Sequence, residues 1–275
     1  MNKFKQRGLV SCLVAGALAV LANQANAGSV TYNFDSDPTS VIEIIGNNTT
    51  PWQATGGNPA SGGFLALTYA FDSIQCGFMF PDLDNGKVVT SFKFTCDLRI
   101  GNSEGDRGAD GFAVSFARGN DPFVANPSMG NLAATLPEAG TVTGIAIGFD
   151  TWSGNTLPDG GDIEGIIVRV DNKTVLKQAM PTRHGACDDA TSLQTGPRDP
   201  DFWAELGDIY SLDAVDTLCW APLSVELDAD AKLTVIWKGK TLLDKYQTSY
   251  FPTPGRLIFT GRTGGENEAT HVDNI

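Results

Sequence analysis

From Ser91 to Ile100 the chain alternates without a fault. Phe92, Phe94, Cys96, Leu98 and Ile100 are apolar, and Ser91, Lys93, Thr95, Asp97 and Arg99 between them are polar. Successive side chains of an extended chain point to opposite faces, so this run fits a strand with one face in a core and the other wet. Shorter period-two runs recur at Val30/Tyr32/Phe34, Phe112/Val114/Phe116, Ile145/Ile147/Phe149, Ile166/Val168/Val170, Leu233/Val235/Trp237 and Leu257/Phe259. Asp84-Asn85-Gly86 and Asp171-Asn172 carry the turn chemistry that joins such strands. Beyond the N-terminal segment no amphipathic helical period exceeds two turns. Many strands with 31 glycines and 14 prolines between them predict an all-β antiparallel sandwich or barrel.

Residues 1–27 read as a secretory leader. Lys3, Lys5 and Arg7 precede the apolar run Gly8–Ala22, and Ala25-Asn26-Ala27 offers a small-x-small cleavage pattern. The apolar run is short for a bilayer, and no second candidate span follows. The expectation is a secreted or periplasmic protein, with residues 28–275 forming one domain. The formal charge of −13 becomes −16 once the three basic leader residues are removed. That acidity argues against nucleic acid, whose phosphates need clustered Lys and Arg, and is compatible with divalent cations. Beyond the leader lie Cys76, Cys96, Cys187 and Cys219. An even count in an exported chain favours disulfides. Three pairings are possible; Cys76–Cys96 with Cys187–Cys219 closes the more modest loops. A zinc site from the four lacks any C-x-x-C pair. The proline- and cysteine-bearing segment 178–222 breaks the strand rhythm and reads as a long insertion.

The run Ile145–Asn155, followed by Asp159 and Asp162, delivers a carboxylate at a strand end and then opens into a loop of hard oxygen donors. Calcium takes six to eight such oxygens; ordinary turn chemistry is the plainer reading of the same residues. Two further motifs share the chain with it, Gly108-Ala109-Asp110-Gly111-Phe112 before it and Ile258-Phe259-Thr260-Gly261-Arg262-Thr263-Gly264-Gly265-Glu266 through His271 after it. In this order the three resemble the legume-type (L-type) lectins and their bacterial relatives, which have the concanavalin A-like jelly-roll fold. The likeness covers most of Val30–Ile275 apart from the insertion.

The resemblance implies a carbohydrate-binding protein whose partners are glycans or glycoconjugates; oligomeric state stays open. Asp110, with Gly111, would take sugar hydroxyls, the Ala109–Asp110 peptide being cis. Asp150, the Trp152 carbonyl, Asn155 and Asp159 would hold calcium, with Asp162 as a substitute or a supporting group. Asn155 and Trp152 would also face the sugar, and Gly264, Gly265 and Glu266 would line the rim. A turn aspartate is the alternative for Asp110, and a strand histidine without a ligand role for His271. Gly148 stands where the family carries an acidic ligand for a transition metal, and a histidine expected after the loop is missing. The resemblance therefore implies no second metal.

Signals for catalysis are weak. Gly101-x-Ser103-x-Gly105 matches the nucleophile-elbow pattern, but a Gly-rich loop follows it instead of a helix. No Glu-x-Asp-x-Glu run offers a glycosidase acid pair. Loop carboxylates such as Glu164, Asp201 or Glu205 keep a glycan-cleaving alternative open. A protein-binding adhesion or matrix module is the other. With only His184 and His271, multi-histidine metal chemistry is excluded.

Overall fold

The computed structural model describes residues 28–101, 108–132, 136–154, 163–181, 186–196 and 218–275. Its strands are β1 (Glu43–Gly46), β2 (Trp52–Gln53), β3 (Phe64–Thr68), β4 (Gln75–Met79), β5 (Phe92–Gly101), β6 (Gly111–Arg118) and β7 (Ile145–Asp150). They continue with β8 (Gly165–Val170), β9 (Lys173–Ala179), β10 (Ala221–Leu227), β11 (Lys232–Trp237), β12 (Lys240–Gln247), β13 (Gly255–Arg262) and β14 (Ala269–Asp273). Among the described residues these form two seven-stranded antiparallel sheets. The front sheet runs β1-β4-β13-β6-β7-β8-β9 and the back sheet β12-β11-β10-β5-β14-β3-β2. Chain neighbours are often in different sheets, as β4 and β5 are, so the chain winds back and forth across one core.

Alternation decides which side chains fill that core. Cys96, Leu98 and Ile100 of β5 meet Phe112 and Val114 of β6, Ile147 and Phe149 of β7, and Trp237 of β11 in one buried cluster. Phe112 and Phe149 stack at 4.5 Å, and Trp237 meets Phe149 edge-on at 5.2 Å. Each such side chain contributes about 1.5–3 kcal/mol by leaving water. Every residue of β7 and β8 is buried, because the outer face of the front sheet is covered too. The turn Pro137–Ala139 lies across it, with Thr260 Oγ1 donating to the Pro137 carbonyl at 2.7 Å. The β8–β9 hairpin turns on Asp171 and Asn172, at φ 47° and 60°, the paired left-handed backbone of a tight two-residue loop.

Two expectations are corrected. Val30/Tyr32/Phe34 forms no strand; Tyr32 exchanges two backbone hydrogen bonds with Ile275 at 2.8 and 2.9 Å, and the pairing extends no further. β9 ends at Ala179 and β10 begins at Ala221, so most of the 178–222 segment lies between these two strands. Cys76 and Cys96 are separate buried thiols. They lie on β4 and β5, in opposed sheets, and sheets pack about 10 Å apart, whereas a disulfide brings its Cα atoms to about 5.5–6 Å. Burial pushes the Cys76 thiol up to about 12 and holds Cys96 well above its ordinary value. Cys187–Cys219 is a disulfide.

Besides that bridge, hydrogen bonds tie the segment to the sandwich. Thr195 accepts and returns hydrogen bonds with Ile100 at the end of β5. Lys238 Nζ, in the β11–β12 turn, donates to the carbonyls of Ala186, Asp189 and Ser192 at 3.1 Å and of Gln194 at 2.6 Å. Burial brings this ammonium down to about 8, against the pull of Asp189 and Asp188.

Candidate functional site

β6 starts and β7 ends at the same rim, because Gly111 is registered against Asp150. The backbone N–H of Thr151 donates to the Asp110 carbonyl at 3.1 Å, and the N–H of Asp110 to the Arg262 carbonyl at 3.1 Å. The ends of three adjacent strands thus carry Asp110, Asp150 and Arg262 side by side. Ala109–Asp110 is a cis peptide, as the lectin resemblance implies. Gly111 is required where it stands: φ is +133°, and a Cβ would lie 2.2 Å from the Phe149 carbonyl oxygen.

Arg262 organises the charges. Its guanidinium donates to both carboxylate oxygens of Glu138 at 2.8 Å, a bidentate fork, and reaches Asp110 Oδ1 at 3.3 Å. The Glu138 hydrogen bond, and then the nearby carboxylates, hold its pKa above the usual arginine value despite partial burial. Glu268, from the start of the last strand region, comes up beneath. Its Oε1 accepts from Thr151 Oγ1 at 2.5 Å, and its Oε2 makes no hydrogen bond among the described residues. Burial, reinforced by Asp110, raises its pKa to about 8, with the Thr151 hydroxyl opposing. Burial thus favours the protonated form of Glu268. Asp110 and Asp150 are buried in their turn, 6% and 1% exposed.

The other expected residues divide between this rim and undescribed chain. Gly264 packs on Asp110, since a Cβ there would stand 2.9 Å from Oδ2. Its N–H closes a turn on the Glu266 carbonyl at 3.1 Å, leaving Gly265 exposed with open space around it. Trp152 is half-buried, its backbone N–H donating to Asp150 Oδ1 at 3.3 Å. Asn155, Asp159 and Asp162 lie outside the described residues. So do Ser103 and Gly105 of the elbow pattern, His184, Asp201, Glu205 and the leader 1–27. Glu164 accepts from Ser153 Oγ at 3.4 Å. His271 sits inside β14, fully buried, with its Nδ1 3.1 Å from the Arg99 guanidinium. Burial, and then that cation, keep it neutral.

Gly148 has no room for the acidic side chain that a second metal would need. A Cβ there would meet the Glu138 carbonyl oxygen at 2.6 Å and lie 3.6 Å from the Arg169 guanidinium. Among the described residues no three His, Cys, Asp or Glu side chains form a metal-sized group. For calcium, the described part offers Asp150, a buried carboxylate at the mouth of the oxygen-rich loop, which suits a hard cation. Glu138, Arg262 and Glu268 had no place in the expected site. No local pattern in the sequence singles them out.

No family model matches the sequence, and no curated protein matches it. Solved structures do. A lectin UEA-II complexed with galactose is 15% identical, with 90% of this chain and 97% of that chain covered at a TM-score of 0.52; lectin II from Ulex europaeus gives the same figures. The exoplasmic/lumenal domain of VIP36, in a Ca2+/Man3GlcNAc-bound form, is 12% identical over 89% of this chain and 86% of that chain, at 0.52. The carbohydrate recognition domain of Emp46p, potassium-bound, is 10% identical over 87% and 90%, at 0.50. At such identities the likeness is one of architecture, and among the described residues no helix is long and apolar enough to cross a membrane. The chain folds as a concanavalin A-like jelly-roll β-sandwich.

Proposed function

We propose that this protein is an exported, non-enzymatic carbohydrate-binding domain, with its sugar site at the rim formed by Asp110, the loop after Asp150 and the Gly264–Glu266 turn. The observation that carries the reading is the convergence of Asp110, Asp150 and Gly264 at adjoining strand ends, produced by the Gly111↔Asp150 register and the Thr151–Asp110 hydrogen bond. Arg262, 3.3 Å from Asp110 Oδ1, fixes the position of that carboxylate. Paired sugar hydroxyls suit such an acceptor, and a half-buried indole such as Trp152 offers an apolar ring face. Gly111 allows the backbone turn that sets Asp110 beside Asp150, and Gly265 and Glu266 stand where they would select among sugars.

Asp150 and the Trp152 carbonyl, with Asn155, Asp159 and Asp162 from the loop, would hold calcium. The ion would supply positive charge that fixes the loop and offsets the buried acids. The solved neighbours of this fold with galactose, and with Ca2+ and Man3GlcNAc, are in keeping with that assignment. The leader-like residues 1–27 support export. The test is a glycan array followed by titration calorimetry on the best sugar. Asp110→Ala removes a charged acceptor, where each hydrogen bond contributes about 1.5–3 kcal/mol, so affinity should fall at least tenfold. Chelator should weaken binding and calcium restore it. Binding that survives both Asp110→Ala and chelator, or an array without a single ligand, refutes the assignment.

A further inference from the structure

The sandwich is open at the end away from Asp110. Phe92 and Phe94 of β5, Phe116 of β6 and Leu257 of β13 pack against the core cluster, yet all four are partly exposed. They line a cleft of about 800 Å³ that reaches inward to Val114, Ile147 and Val225. Val30, Leu83 and Val88 border the same cleft and are 40%, 42% and 56% exposed. Apolar side chains thus line its depth and part of its entrance, roughly 20 Å along β6 from Asp110 at about 3.3 Å per residue.

The walls decide what can enter. β5 lies between β10 and β14, and β6 between β13 and β7, so their backbone groups are paired within the sheets. An incoming strand would find no edge to extend. An α-helix is about 10–12 Å across with its side chains, too thick for a gap between sheets about 10 Å apart that both project side chains into it. A hydrocarbon tail needs neither a backbone partner nor that width. The volume falls within the roughly 300–1,000 Å³ of small-ligand sites. Charged side chains of both signs border the cleft, Lys87, Lys93 and Arg256 with Asp84, Glu226 and Asp228; Lys87 makes no ion pair among the described residues.

We propose that this intersheet cleft binds a single-tailed amphiphile of the long-chain fatty acid type, its tail between Phe94 and Phe116 and its polar end at the lip near Lys87. The probe is cis-parinaric acid, whose fluorescence rises in apolar surroundings, added to the native protein and then displaced by palmitate. Saturable one-to-one binding that palmitate reverses is expected. Val225, paired directly across from Phe94, is the position for a filling change: Val225→Phe should cut affinity at least tenfold while the circular dichroism spectrum stays native. Should that variant fail to fold, Val30→Lys with Val88→Lys, both at exposed sites, should cut it severalfold. The proposal is overturned by no saturable signal, by signal that palmitate does not displace, or by folded variants that bind as tightly as the native chain. Sugar binding at the far rim is unaffected by any of these outcomes.

Discussion

Glu268→Gln isolates the energetic cost of one buried carboxyl. In the folded chain Glu268 titrates near pH 8 because it is buried beside Asp110; in the unfolded chain it titrates near the ordinary glutamate value of about 4.3. Below both values each state carries the proton, and the residue has no influence on the pH dependence. Between them the unfolded state releases the proton and the folded state keeps it, so native stability falls as pH rises. The slope is about 1.4 kcal/mol per pH unit, which accumulates to about 3–4 kcal/mol by neutrality as an upper bound. Glutamine is neutral throughout and can still accept the Thr151 hydroxyl with its Oε1. Stability differences between variant and native chain, from urea unfolding in chelator at several pH values, should therefore be near zero at about pH 4 and below. They should grow in favour of the variant up to about pH 8 and then level off. Chelator matters because a bound cation would supply the charge that Glu268 lacks. Other titrating groups, such as Asp273 with its pKa raised to about 6 mainly by burial, are common to both proteins and cancel. A difference that does not change with pH would refute the reasoning.

Gly111→Ala should destabilise the chain by about 3 kcal/mol or more and abolish sugar binding, since the new methyl would lie 2.2 Å from a carbonyl oxygen at φ +133°; a thermal melt matching the native one would contradict this. Lys238→Met leaves four backbone carbonyls without their common donor, at a cost of about 2–3 kcal/mol. Hydrogen exchange should then accelerate across 186–196 more than in β5 or β6, and uniform protection would count against the tie. Peptide mapping after alkylation in denaturant should label Cys76 and Cys96 and leave Cys187–Cys219 bridged, whereas the native protein should leave both thiols unlabelled for want of access. Recovery of a Cys76–Cys96 peptide would overturn their placement in opposed sheets.

Much of the architecture could be read before any coordinates. The alternation of Ser91–Ile100 placed Phe92, Phe94, Cys96, Leu98 and Ile100 on the inner side of one strand, and they are there. Period two reports which face is inside, but not which of two sheets a strand joins. That is why loop length favoured Cys76–Cys96 and the winding between sheets defeats it. Val30/Tyr32/Phe34 had the pattern without neighbours to pair with beyond Ile275. At the rim, Asp110, Asp150 and Gly264 were legible as an ordered set of motifs. Glu138, Arg262 and Glu268 were not, because their importance comes from a turn folding across the front sheet and from burial, neither of which has a local pattern.

The two backbone hydrogen bonds between Tyr32 and Ile275 bring the polypeptide's first and last described stretches into a single seam, remote from the rim of Asp110. A short linker could join them there, and fresh termini could be cut elsewhere with the strand order unchanged. Anchored to a bead or chip through that seam, the domain would present Asp110, Trp152 and Gly265 outward, free of the support.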